Sequence, residues 1–132
     1  METGPANKNL FYTNDHEWID FQGSVAYVGI CFFKLTGIKD IHRIIFTEYP
    51  DLVDQGEAIA SIQYDDYRIL VHMPVVGKII GFNDLLLTDD KNILLLQPEN
   101  NGWIALIVPD QQKEKTGLLS PEDYRLSLEK LK

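Results

Sequence analysis

The amino-acid sequence predicts a mostly β domain closed by a capped α-helix, and three observations carry that prediction. Apolar and polar residues alternate through "IASIQYDDYRILV", residues 59–71, the period-2 signature of half-buried strands. Short β-rich runs elsewhere are punctuated by glycine and proline, which break ladders and set turns. Finally, "LSPEDY", residues 119–124, carries the marks of a helix start.

The elements follow in order. Residues 1–10 are polar and are expected to form a flexible N-terminus, with a single domain over 11–132. "HEWIDF" and "SVAYVGI" read as strands joined by a two-residue loop at Gln22-Gly23. "CFFKLTGIKDI" suits a short internal helix ending near Gly37, and "HRIIFTEYP" a strand closed by Pro50. The stretch 59–71 is a hairpin with Asp65-Asp66 as its turn. Tyr64 then faces Tyr67, Ile62 faces Ile69, Ala60 faces Val71 and Ala58 faces Met73, all on one side. The other side carries Gln63 opposite Arg68, Ser61 opposite Leu70 and Ile59 opposite His72. A one-residue slip would scatter the apolar set over both faces, so the pattern specifies the register.

"MPVVGKIIGFN" reads as a strand with glycine bends or bulges, "DLLLTDDKNILLLQ" as either strand or helical turn, and "NGWIALIVP" as a strand stopped by Pro109. The closing helix, 120–131, has Ser120 as N-cap, Pro121 at its first position and Glu122 and Asp123 in its first turn. Leu119 and Tyr124 are placed as a hydrophobic staple, and Tyr124, Leu128 and Leu131 recur at helical spacing as its docking stripe.

Composition narrows the function. The 132 residues hold 20 acidic against 12 basic side chains, a net charge of −8, which repels phosphate backbones and anionic membranes. Neither a nucleic acid nor a membrane is expected as a partner. The opening "METGPANKNL" lacks the basic start and apolar run of a signal peptide, and a cytoplasmic location is expected. Cys31, the lone cysteine, sits among apolar neighbours as a buried small residue.

Few side chains are grouped for chemistry. Asp65 and Asp66 on a solvated turn lack the burial that splits carboxylate pKa values and the six or more oxygens that calcium takes. His16, His42 and His72 stand at no metal-ligand spacing. They form an enzyme site only if folding gathers them with Glu17 in one pocket. No phosphate loop or serine nucleophile elbow is present. On the residues alone, no catalytic residue and no metal site is assigned, and a non-enzymatic module is the expectation.

Six stretches taken together resemble the H protein of the glycine cleavage system. They are "YTNDHEWI" (12–19), "VAYVGI" (25–30), "GEAIASI" (56–62), "MPVVGKIIGFN" (73–83), "NGWIALIVP" (101–109) and "LLSPEDYRLSL" (118–128). The resemblance implies a lipoyl/biotinyl-carrier fold, a flattened β-barrel or barrel-sandwich hybrid, with a short internal helix and a C-terminal one. It implies a carrier rather than an enzyme, whose hairpin-tip lysine bears lipoate. The loaded arm would visit glycine decarboxylase, aminomethyltransferase and dihydrolipoamide dehydrogenase. The family's tip reads Glu-Ser-Val-Lys-Ala, which falls here on Gln63-Tyr64-Asp65-Asp66-Tyr67. Asp66 therefore occupies the attachment position and Gln63 replaces the glutamate before it. Where the family continues Thr-Asp-Tyr/His along the cleft that shelters the arm, this chain has Cys31-Phe32-Phe33. These departures imply a lipoate-free relative, with no cofactor expected, acting by protein binding through Tyr64, Asp65, Asp66, Tyr67 and Arg68. The alternatives are a carrier that lipoylates another lysine, Lys78 or Lys91, and an enzyme built on the three histidines.

Overall fold

In the computed structural model, which describes residues 9–88, 91–110 and 117–130, eight strands form two antiparallel sheets. Five strands make the first: β1 (Leu10–Tyr12), β2 (Glu17–Gln22), β3 (Val25–Ile30), β7 (Gly77–Phe82) and β8 (Ala105–Pro109), in the order β1-β2-β3-β8-β7. The second is β4 (Arg43–Phe46), β5 (Ala58–Tyr64) and β6 (Tyr67–His72), in chain order. Apolar positions from both sheets meet in one core. Ile19, Val28 and Ile107 come from the first, and Ile44, Ile62 and Val71 from the second.

Helical turns close the sides of this sandwich. The 3₁₀ turn Phe32–Leu35 inserts Leu35, a second at Asp84–Leu87 inserts Leu86, and the one-turn helix α1 (Ile93–Leu96) inserts Leu94. "DLLLTDDKNILLLQ" is thus helical at both ends, because Leu86 and Leu94 can then point inward while Leu87 and Leu96 stay in solvent. Asn83 holds this region by capping the Leu85 N–H and donating to the carbonyls of Asn101 and Trp103.

The C-terminal helix α2 (Pro121–Glu129) forms where the capping signals put it, with the Ser120 hydroxyl accepting from the Asp123 N–H at 3.1 Å. Its ring Tyr124 stacks on Tyr12, with centroids 4.4 Å apart, in a second apolar cluster with Trp18 and Cys31. Leu119 and Leu128 pack against that cluster. Leu131, and the expected flexible start over residues 1–8, lie outside the described residues. Leu10, placed in that loose start, is instead a strand residue opposite Asp20, and the Asn9 N–H donates to the Asp20 carboxylate.

Two registers differ from the sequence expectation. The β2–β3 loop is Gly23–Ser24, since Gln22 pairs with Val25. Gly23 takes φ +68°, the left-handed geometry that a tight hairpin needs and glycine adopts freely. In the central hairpin, the pairs from Tyr64–Tyr67 down to Ala60–Val71 stand as expected. Below them a bulge between Ala58 and Ala60 sets Ala58, not Ile59, opposite His72. Ala58 therefore does not face Met73. The extra residue lets Ile59 and Ala60 both turn into the core, and Ile59 is fully buried.

Candidate functional site

The hairpin tip is built by local chemistry. Asp65 adopts φ +48°, a left-handed conformation that aspartate tolerates better than most residues, and so turns β5 into β6. Asp65, Asp66, Tyr67 and Arg68 are exposed, while Tyr64 and Gln63 are half-buried. The rings of Tyr64 and Tyr67 face each other at 5.9 Å between centroids. They share the core side of the hairpin but lie beyond the core's end, so Tyr67 remains 68% exposed.

A second constellation assembles at the far end of β6. Thr13 starts it: its hydroxyl accepts the N–H groups of Asp15 and Glu17, each at 3.2 Å. His16 between them takes φ +63°, a strained backbone for a non-glycine residue. This bend sends Glu17 inward and His16 toward the C-terminal helix. The Glu17 carboxylate, 2% exposed, accepts from Lys34 Nζ at 2.9 Å, from the His72 N–H at 2.7 Å and from the Thr13 hydroxyl. His72 Nδ1 stands 2.9 Å from Glu17 and 2.8 Å from Asp15. Lys34 also binds Asp15, at 2.7 Å.

These contacts assign the tautomer. A ring nitrogen facing two carboxylates is the donor, so the His72 ring N–H is on Nδ1. Desolvation works to raise the Asp15 carboxyl, but the Lys34 hydrogen bond and charge, with His72, outweigh it and hold the group below its ordinary range. Asp15, Glu17 and His72 offer one ligand atom each within 4.8 Å, a spacing that suits a cation. Two of the three, Asp15 and Glu17, are already paired with the chain's own ammonium, Lys34. Beside them lies an opening of about 420 Å³, lined also by Thr13, Asn14, Gln55 and Met73.

The three histidines do not share one site. His72 joins Glu17, whereas His16 Nδ1 meets the Tyr124 hydroxyl at 3.0 Å and its ring packs on Phe33. His42 is exposed next to β4. Cys31 is buried, and burial pushes its thiol up to about 12 with only partial relief from a Tyr124 hydrogen bond; it is no nucleophile. Lys34 was missed by sequence reasoning. A lysine inside the apolar run "CFFKL" is the one hint, because a charge among buried residues needs a partner.

A flattened two-sheet sandwich with a projecting hairpin and a docked terminal helix defines a barrel-sandwich fold. The glycine cleavage H-protein family model matches residues 10–131. The glycine cleavage system H protein of Listeria innocua is 30% identical over 122 residues, covering 92% of this chain and 97% of that protein. A probable glycine cleavage system H protein of Aeropyrum pernix is 34% identical over 125 residues, covering 95% and 87%. A crystal structure of the H protein from Mycobacterium marinum superposes with a TM-score of 0.74 at 23% identity, over 90% of this chain and 95% of that one. The chain belongs to the glycine cleavage H-protein family.

Proposed function

We propose that this chain is a lipoate-free member of the H-protein family that works by binding other proteins instead of carrying a covalent arm. One observation carries the reading: Asp66, at the exposed turn between β5 and β6, stands where the family resemblance puts the lipoyl lysine. A carboxylate cannot form the amide that joins a lysine amine to lipoic acid, so the residues at this tip do not fit the group. Gln63, in place of the glutamate that guides the attaching enzymes, supports the same reading. Lys78 is exposed but lies within β7, away from any turn between paired strands.

The binding surface in this reading is Tyr64, Asp65, Asp66, Tyr67 and Arg68. Tyrosine anchors interfaces with an apolar face and a polar tip, and Tyr67 is free to do so. By resemblance the partners are glycine decarboxylase, aminomethyltransferase or dihydrolipoamide dehydrogenase. The test is the intact mass of the protein from its native host. A mass equal to the bare chain is expected, and a lipoyl-sized increment on any lysine would restore the ordinary carrier function.

A further inference from the structure

The three-stranded sheet has an outer face that the core does not account for, and Arg68 of the tip surface opens onto it. Arg43 on β4 and Arg68 on β6 both pair with Gln63 of β5. Residues paired across antiparallel strands project to the same side. The next row, Ile44–Ile62–Ile69, packs into the core, so the arginine row points away from it. Both arginines are exposed. Their backbones are two strand spacings apart, about 10 Å.

Their lack of partners is the second observation. Among the described residues neither guanidinium has an ion pair, whereas Arg125, the third arginine of the chain, is held by Glu122 and Glu129. Lys34 is likewise taken up by Asp15 and Glu17. The described acidic residues thus leave two guanidinium forks without a carboxylate, in one row, beside an amide. Asp65 and Asp66 lie just beyond and make no ion pair with them.

We propose that Arg43 and Arg68, with Gln63 between them, form a docking face for an acidic segment of a partner protein. Each guanidinium would take one carboxylate by its two parallel N–H donors. The separation suits two carboxylates better than one phosphate, and the net charge of −8 repels a polyanionic backbone that two arginines cannot neutralise. β4 is the edge of its sheet, so an extended acidic segment can lie along it. The inference rests on the protein-binding reading above and names the chemistry of the partner.

The test is fluorescence anisotropy of the full chain with labelled hexaglutamate at low salt, with hexaglutamine as control. Binding of hexaglutamate alone is expected. Arg43→Gln and Arg68→Gln should each weaken it about threefold and the double variant about tenfold, as exposed charge pairs do. Lys78→Gln, on the other sheet, should change nothing. No binding, equal loss with Lys78→Gln, or equal affinity for inorganic phosphate through both arginines would overturn the proposal. So would self-association lost in the double variant, since the occupant would then be a second copy. A lipoyl adduct found by mass would sink the lipoate-free reading and leave this face standing; failed hexaglutamate binding with a bare mass would do the reverse.

Discussion

Glu17 and His72, 55 residues apart, are joined twice: the Glu17 carboxylate accepts the His72 backbone N–H at 2.7 Å and faces its ring Nδ1 at 2.9 Å. The pair ties the start of β2 to the end of β6, and Lys34 brings in the turn after β3. One buried carboxylate therefore anchors three separate stretches of chain to one another.

Removing that carboxylate should be costly. In Glu17→Ala the Lys34 ammonium, 11% exposed, keeps only the solvated Asp15, and the His72 N–H loses its acceptor. A loss of about 3 kcal/mol is expected, the low end for breaking a buried ion pair. Urea unfolding with an unchanged slope would measure it; a variant as stable as wild type would show that the contacts contribute nothing net.

Gly29 makes a steric prediction. A Cβ there would stand 2.5 Å from the Trp18 ring, and the ring cannot step aside, because its N–H donates to the carbonyls of both Ile30 and Pro98. Gly29→Ala should lose about 2 kcal/mol through overpacking, visible as a lowered Tm. Gly23→Ala should cost less, through its φ of +68° alone, because open space surrounds that site.

His16 gives a pH dependence. Burial, helped by the Lys34 charge and opposed by Asp15, lowers its pKa below the ordinary 6.5. A base with a lowered folded pKa favours the folded state when neutral. Its stabilisation is full above 6.5 and is lost as the pH falls below that value toward the folded one. Asp15 acts in a separate window, present above 3.8 and lost below it. His16→Asn keeps a residue that tolerates left-handed backbone and removes the titration. The stability gap between wild type and variant should shrink from about pH 7.5 to about pH 5.5, and a constant gap in thermal melts would contradict this.

Cys31 should be inert in the native state. Its thiol, 2% exposed and pushed up to about 12 by burial, has almost no thiolate at about pH 8. Labelling by a maleimide should follow global unfolding, and rapid labelling of the folded protein would refute the placement.

The carrier scaffold can be tested by repair. Asp66→Lys with Gln63→Glu restores at the tip the residues that the family resemblance calls for. A lipoate ligase should modify the double variant and leave wild type untouched, read as the mass increment. No modification of the variant would mean that more than the tip has diverged.

How much of this was readable beforehand differs residue by residue. The hairpin from Ala60 to Val71, with its turn at Asp65 and Asp66, follows from alternation between near neighbours, a local property. The Ser120 cap and the first turn of α2 are equally local. The bulge at Ala58 was not readable, because an extra residue in a strand leaves no mark on an apolar run. The Gly23–Ser24 loop was missed by one position, since Gln22-Gly23 and Gly23-Ser24 both offer glycine to the turn.

The amino-acid order by itself determined the alternating strands, the capped helix and the acid at the projecting turn, because each depends on residues a few positions apart. Only the tertiary structure decided that Lys34 would pair with Asp15 and Glu17 beside His72, and that Arg43 and Arg68 would flank Gln63 with no ion pair among the described residues. Those relationships join segments tens of residues apart, and charge pairing across such distances is set by which strands lie side by side.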